Sequence, residues 1–440
     1  MNSEKIKIGL LPATCLVVAN MVGTGVFTSL GFQVMGIKSV SAILVLWLVG
    51  GLVALSGALT YAELAVRYPR SGGEYNFLSS IYHPALGFLS GWISSTVGFA
   101  APMAISCMAF GSYFSKIFPE LAPIQLALSL LAVLTILNLL SFKAGSGFQS
   151  FFTILNICLI TCICLASFFF SSPTHFKLSF NSNDISNIFN PSFAVSLVYV
   201  SLAYSGWNSA TYVAGEIKKP KENLPKALFR GTLIVILLYL ALNFVFLYAV
   251  PIENLAGVVE VGYLAASTLF GQTGGIIISL IICIGLIASV NSLMIAGPRV
   301  IQTIGEDFSF FNIFTTKNKN GSPIYAILFQ TSIAALLIIT ASFENILTYI
   351  GFTLSLFTTL SVAGIFVARA KDDPKVLEYK TPLYPYVPVF FVLVEASMMF
   401  YLFYEKPEES FYGMLTVASG LIIYTFVKTK NKEELKNETV

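Results

Sequence analysis

Apolar stretches roughly 20 residues long recur from one end of this chain to the other, and that recurrence limits its fold more than any motif does. A helix of that length crosses bilayer hydrocarbon, where each backbone N–H and C=O must be satisfied inside the helix itself. Twelve spans are expected, near residues 10–32, 40–62, 85–115, 122–142, 148–171, 191–215, 226–250, 274–298, 323–341, 344–369, 383–404 and 410–427. Of the 440 residues, 56% are hydrophobic and 11% charged, against roughly 25% charged in an average soluble domain. A mean hydropathy of +0.80 over this length is more than one water-soluble core can hide. The short alternating segments of a transmembrane β-barrel are not visible. The expected fold class is an all-α polytopic membrane protein.

The net charge of +3 is too small to suggest nucleic acid, and the placement of the charges says more than their sum. With the N-terminus inside, all but four of the 25 Lys and Arg fall in inner segments; the four outer ones are Lys38, Lys116, Lys177 and Lys406. A wrong span count would scramble that split, so the positive-inside rule supports twelve spans and a cytoplasmic N-terminus; the C-terminus is then cytoplasmic too, and the expected location is the cell's inner (plasma) membrane. Lys5 and Lys7 precede an apolar run without a small-residue cleavage site, which reads as a first span rather than a signal peptide.

Other chemistry is sparse. Cys15, Cys107, Cys158, Cys162, Cys164 and Cys283 all lie in apolar stretches, with neither metal-site nor disulfide spacing, and read as small apolar packing residues. His83 and His175 sit in opposite loops, which argues against a histidine metal site or proton relay. His83, before Pro84, reads as a surface loop residue. P-loop, HExxH and nucleophile-elbow motifs are absent, so no cofactor is expected and an intramembrane hydrolase is a weak alternative. A channel is another, but no repeated filter-like loop is visible. Tyr61-Ala62-Glu63-Leu64, with Arg67 and Arg70, reads as a basic inner loop at a helix end.

Two spans are interrupted at their midpoints. Span 1 contains Asn20-Met21-Val22-Gly23-Thr24-Gly25-Val26-Phe27, and span 6 contains Ala203-Tyr204-Ser205-Gly206-Trp207-Asn208-Ser209. Small-residue helix packing explains either one alone. Both at matched positions point instead to inverted repeats, spans 1–5 and 6–10, with a binding site at their breaks. An unwound midpoint exposes N–H groups at one new helix end and C=O groups at the other. A zwitterion matches that pair. N–H groups of Thr24, Gly25 and Val26 beside Gly23, with the Thr24 hydroxyl, are expected to cradle a carboxylate. The carbonyls of Leu202, Ala203 and Ser205 are expected to accept from an ammonium group. No Asp, Glu, Lys or Arg lies at mid-membrane depth in spans 1–10, which favours a neutral amino acid over a cationic one or a polyamine. Glu395 in span 11 is the one acid deep in a span. It lies outside the repeats and reads as a structural or subunit-contact residue rather than a proton site.

These residues resemble an amino acid permease of the amino acid–polyamine–organocation superfamily, similar to L-type amino acid transporters and their bacterial relatives. Gly23-Thr24-Gly25-Val26-Phe27 matches the family's Gly-Ser/Thr-Gly-Ile/Val-Phe signature. Glu63-Leu64 through Pro69-Arg70-Ser71-Gly72-Gly73-Glu74-Tyr75 matches its inner loop after span 2. Ala203-Tyr204-Ser205-Gly206-Trp207-Asn208, Glu216-Ile217-Lys218-Lys219-Pro220 and Asn223-Leu224-Pro225 match span 6 and the loop behind it. Ala296-Gly297-Pro298-Arg299 resembles the end of span 8. The resemblance covers nearly the whole chain and implies a LeuT-like 5+5 fold with alternating access, by exchange or proton-coupled uptake.

Departures from the family pattern carry information of their own. Many relatives hold a Lys in span 5 in place of a sodium ion between spans 1 and 8; here Asn156 stands there. Ser289, Asn291 and Ser292 are the oxygen donors that span 8 offers, but no carboxylate accompanies them, so exchange or proton coupling is favoured over sodium. Asn208 replaces an acid common in arginine-type antiporters. Leu202 replaces a bulky aromatic gate, leaving Tyr204 or Trp207 to occlude the site, with Asn20 and Asn208 as further contacts. The segment Lys116 to Pro123 lacks the Cys by which animal light chains link to a glycoprotein, so no such heavy chain is expected, and the protein is read as monomer or homodimer. The expected organisation is a transport core at 1–370 and spans 11 and 12 with a cytoplasmic tail at 371–440. A cationic amino acid or polyamine antiporter and a transporter-fold nutrient sensor are the alternatives.

Overall fold

Hydrocarbon offers the backbone no hydrogen-bond partner, and the chain answers with helices throughout. The computed structural model describes residues 8–140, 146–170, 188, 190–318, 321–371 and 379–437. Lys5, Lys7, Lys143, His175, Lys177, Lys319 and Lys375 lie outside the described residues. Among those described there is no β-strand, only two isolated bridges, one of them pairing Ile8 with Ile217. Nine described helices are long and apolar enough to cross a bilayer. Three shorter apolar helices, Thr153–Ser167, Pro191–Tyr204 and Ile324–Thr340, fall where spans 5, 6 and 9 are expected. The chain is an all-helical, multi-pass membrane protein.

Span 1 is Leu10–Met21 and Thr24–Thr28, continued by Leu30–Gly36. Span 2 is Val40–Arg67, opened by Ser39, whose side chain accepts from the Ala42 N–H. Span 3 runs Pro84–Ile93, Ser94–Gly98 and Ala100–Ser115, the middle piece a π turn. His83 is an exposed residue just before that helix, as expected, and its Nδ1 also caps the helix by accepting from the Ala85 N–H at 3.1 Å. Span 4 is Pro123–Leu140 and span 5 Ser146–Phe170. Span 6 is Pro191–Tyr204 with the short turn Ser209–Tyr212. Span 7, Pro220–Ala249, begins earlier than the expected 226, because proline at a first helical turn gives up no needed N–H. Span 8 differs most from expectation: Val261–Asp307 is 47 residues long and turns at Gly271, whose φ is 72°. Forty-seven helical residues run about 70 Å, more than twice the hydrocarbon thickness, so the stretch before Gly271 is a separate limb. Spans 10, 11 and 12 are Phe343–Lys371, Tyr386–Glu405 and Pro407–Asn437.

Large apolar side chains on the outer helices, such as Leu393, Phe400, Ile422 and Phe426, face outward as a lipid-bathed surface requires. Cys158 and Cys162 share that exposure, so these two are surface residues rather than packing residues. Inside, helices approach through glycine, where dispersion contacts rather than water exclusion drive association. A Cβ on Gly57 of span 2 would lie 2.7 Å from the Trp207 ring, and one on Gly231 of span 7 would lie 2.7 Å from Val17.

One ionic joint ties three spans. Glu63, fully buried near the end of span 2, accepts from Arg67 at 3.0 Å and from the guanidinium of Arg369 on span 10 at 3.0 and 2.7 Å. The Thr381 N–H, just before span 11, adds a bond of 2.7 Å. Arg369 also lies 3.7 Å over the Tyr384 ring. Tyr61-Ala62-Glu63-Leu64 is therefore an internal clamp, not simply a basic loop. Removing one partner strands the other, at a cost of about 3–5 kcal/mol for a buried pair. Glu63→Ala and Arg369→Ala are each expected to lower the melting temperature in detergent clearly, and the double variant to lose less than the sum. Additive losses would show that the two groups act independently.

Candidate substrate site

Span 1 stops at Met21 and restarts at Thr24, with Gly23 between at φ −132° and ψ −143°. Span 6 stops at Tyr204; Ser205 is extended and Gly206 takes φ +102°, a conformation that only glycine adopts without strain. The two breaks touch. A Cβ on Gly25 would fall 2.4 Å from the Ala203 Cα, and one on Gly206 would fall 2.6 Å from the Asn20 carbonyl oxygen. The room that Gly25 leaves is thus taken by span 6 rather than free for a ligand. Tyr239 of span 7 stitches the crossing: its hydroxyl meets the carbonyl oxygens of both Met21 and Ala203, the latter at 3.0 Å. The Ala203 carbonyl, expected to be free for an ammonium group, therefore keeps one lone pair. The Leu202 carbonyl accepts from the Ser205 N–H at 3.0 Å and likewise keeps one.

A cavity of about 140 Å³ is lined by both breaks. Among the expected residues it gathers Asn20, Gly23, Thr24, Gly25, Leu202, Ala203, Ser205, Trp207, Asn208 and Ser289. Four others stand apart. Val26 is wholly buried. Tyr204 packs against Trp47 and Tyr239 and donates to the Trp47 carbonyl at 3.2 Å, so it does not gate this cavity. Ser292 donates to Asn20 Oδ1 at 3.4 Å. Asn156 lines a second, water-sized space of about 10 Å³ with Val18, Ala19 and Val22 of span 1 and Gly285, Ala288 and Ser289 of span 8. Of the three oxygen donors expected from span 8, Ser289 alone reaches that space, since Asn291 Oδ1 accepts from Asn138 of span 4 at 2.9 Å.

The helix that restarts at Thr24 leaves its first N–H groups without a preceding turn to accept them. The Thr24 hydroxyl lies 2.7 Å from the Ser106 hydroxyl of span 3, a partner that sequence alone does not suggest. Span 3 contributes more through its π turn. Pro102 has no N–H to offer the Gly98 carbonyl, and the helix widens just before it, turning Ser94, Gly98 and Phe99 to the cavity. Pro102 after Gly98-Phe99 was the available signal.

Two carboxyl groups line the cavity, which corrects the expectation that no charged side chain lies near the breaks. Glu74 comes from the segment after span 2, where Gly73 at φ 53° folds the chain back and starts the helix Glu74–Ile81. Its Oε1 accepts from the Tyr61 hydroxyl and from Asn208 Nδ2, both at 3.0 Å. Burial pushes its carboxyl up to about 7, against the pull of those two donors. Trp207 stands edge-on to Tyr61 with ring centroids 4.7 Å apart, extending this joint. Glu395 comes from span 11; it is 3% exposed within the single chain, and Ser201 Oγ donates to its Oε1 at 3.3 Å. It therefore faces inward, not a subunit contact. Among the described residues no Lys, Arg or His lines the cavity.

Comparison with known proteins agrees with this architecture. The amino acid permease family model matches residues 8–427. The serine/threonine exchanger SteT of Bacillus subtilis (strain 168) is 28% identical over 406 residues, covering 89% of this chain and 91% of that protein. The large neutral amino acids transporter small subunit 2 of Mus musculus is 28% identical over 437 residues, covering 96% and 80%. The b(0,+)-type amino acid transporter 1 of Mus musculus is 27% identical over 441 residues, covering 96% and 88%. With the family pattern spanning both broken helices and nearly every helix around them, the chain belongs to the amino acid permease family, whose members are transporters and not enzymes.

Proposed function

We propose that this protein is a secondary transporter that moves neutral amino acids across the plasma membrane by alternating access. In this reading it has twelve spans, both termini cytoplasmic, an inverted-repeat core at 1–370 and two further spans with a tail at 371–440. The observation that carries it is the contact of two broken helices at one cavity. The N–H groups beginning at Thr24 receive the substrate carboxylate, and the remaining lone pairs of Leu202 and Ala203 receive its ammonium group. Charges of opposite sign on one ligand meet partial charges of opposite sign on the two helix ends. The alternative of a cationic substrate draws support from Glu74 and Glu395. It calls for competition assays with lysine, arginine and putrescine.

If both ends of the zwitterion are held, capping either one removes charge-assisted hydrogen bonds worth about 1.5–3 kcal/mol each. A thermal-shift screen of the twenty amino acids on purified protein identifies the ligand that stabilises most. The methyl ester and the N-acetyl derivative of that amino acid are each expected to bind at least about tenfold more weakly. Equal binding by either derivative removes that end from the site.

Exchange or proton coupling is favoured over sodium, because the space beside Asn156 holds about one water and no carboxylate lines it. Uptake into liposomes is expected to persist when choline replaces sodium, and to respond to amino acid loaded inside or to an inward proton gradient. Complete dependence on external sodium would overturn this.

Glu74 joins span 2 to the second half of span 6, so its protonation bears on how firmly that end of the cavity is closed. A carboxyl whose folded value is raised contributes stability that is present below its unfolded value near 4.5 and lost as pH rises through about 7. Glu74→Gln retains an oxygen able to accept from Tyr61 and Asn208 but cannot ionise. The variant is expected to lose part of the decline in melting temperature that the parent shows from about pH 4.5 to about pH 7. An identical pH profile would mean that Glu74 does not titrate there.

A further inference from the structure

Glu395 sits where a side chain of its kind is costly. Span 11 turns Phe391, Glu395, Met398 and Leu402 inward at helical spacing, each nearly or fully buried, and Glu395 is the one polar member of that stripe. Ser201 donates to its carboxyl over a long 3.3 Å, the Ser355 hydroxyl stands nearby without closing on it, and no hydrogen-bond partner reaches Oε2. Burying a carboxyl so poorly satisfied is unfavourable, and an apolar residue like Met398 would fill the position at less cost. The cavity it lines also carries no basic side chain among the described residues, so nothing from the protein is placed to answer it.

Position supplies the rest. Ser201 immediately precedes Leu202 and Ala203, the residues whose carbonyls face an ammonium group in the reading above. Ser355 of span 10 stands beside Glu395, and Thr358 lies one turn further along the cavity wall. A substrate held by its backbone at the two breaks thus starts its side chain next to a patch made of two or three hydroxyls and one half-satisfied carboxyl. We propose that Glu395, with Ser201 and Ser355, is a specificity-determining subsite that receives a hydrogen-bond donor on the substrate's side chain: a hydroxyl, an amide or a distal ammonium group. This rests on the placement of the substrate backbone between spans 1 and 6. It assigns span 11, outside the inferred repeats, a direct part in choosing the substrate.

The test uses full-length protein in detergent and three near-isosteric pairs: threonine against valine, glutamine against methionine, lysine against norleucine. In the parent protein at least one donor-bearing member is expected to bind about tenfold more tightly than its apolar partner, a difference of about 1.4 kcal/mol. Glu395→Leu is expected to abolish that preference while leaving the affinity for the apolar partner within about threefold. Glu395→Gln, which keeps the shape, is expected to retain a hydroxyl or amide preference and to lose a lysine preference. No preference in any pair for the parent overturns the proposal, without recourse to a variant. A preference that survives in Glu395→Leu, or in Glu395→Gln for lysine, overturns it as well. Failure of every amino acid to bind the parent would instead refute the transporter site itself, and binding of the apolar members alone leaves that site intact while refuting the subsite.

Discussion

Two stretches of unwound backbone pressed against each other, with no side chain between them, set the terms for the rest of this molecule. Gly25 lies on Ala203 and Gly206 lies on the Asn20 carbonyl, so neither glycine can gain a Cβ without moving a helix. Unwound backbone at membrane depth is tolerated only where protein or a cavity receives its polar groups. Tyr239 meets two of the freed carbonyls, and the cavity faces others. A broken helix here is therefore a joint between two spans, with its free groups rationed among span 7, local turns and the space for a ligand.

The charged groups divide along similar lines. Glu63, Arg67, Arg369 and the Thr381 N–H satisfy one another and hold spans 2, 10 and 11 together through several short, charge-assisted bonds. Glu74 is held by two neutral donors from different elements, and its carboxyl is poised near neutrality. Glu395 is held by one long bond. The three acids thus grade from a firm clamp, through a joint of two neutral donors, to an under-satisfied group at the cavity wall.

The site also shows why net neutrality of the breaks does not settle the substrate. In the proposed reading the helix ends compensate a backbone zwitterion, so that span 1 and span 6 need no charged side chains of their own. The rest of the cavity wall comes in part from spans 3, 10 and 11, where hydroxyls and the Glu395 carboxyl stand with no base among the described residues.

Membrane embedding, helical class and the two breaks could be read from the chain directly, because hydropathy is a sum over local residues and glycine with hydroxyl neighbours marks a local weakness in a helix. The signature around Gly23 to Phe27 and Ala203 to Asn208 placed the part of the cavity wall that the two breaks supply for the same reason. Tertiary structure alone decided what those residues face. Gly25 meets a backbone, Tyr204 points to Trp47, and Thr24 pairs with Ser106, all through neighbours more than 80 positions away. Glu74 belongs by sequence to a polar segment between spans 2 and 3, yet a Gly-Gly turn folds it back under span 6; Glu395 lies on a late helix far along the chain, yet that helix packs inward on this face. A residue's depth along a helix is local and legible, whereas the direction it faces depends on which helix arrives beside it.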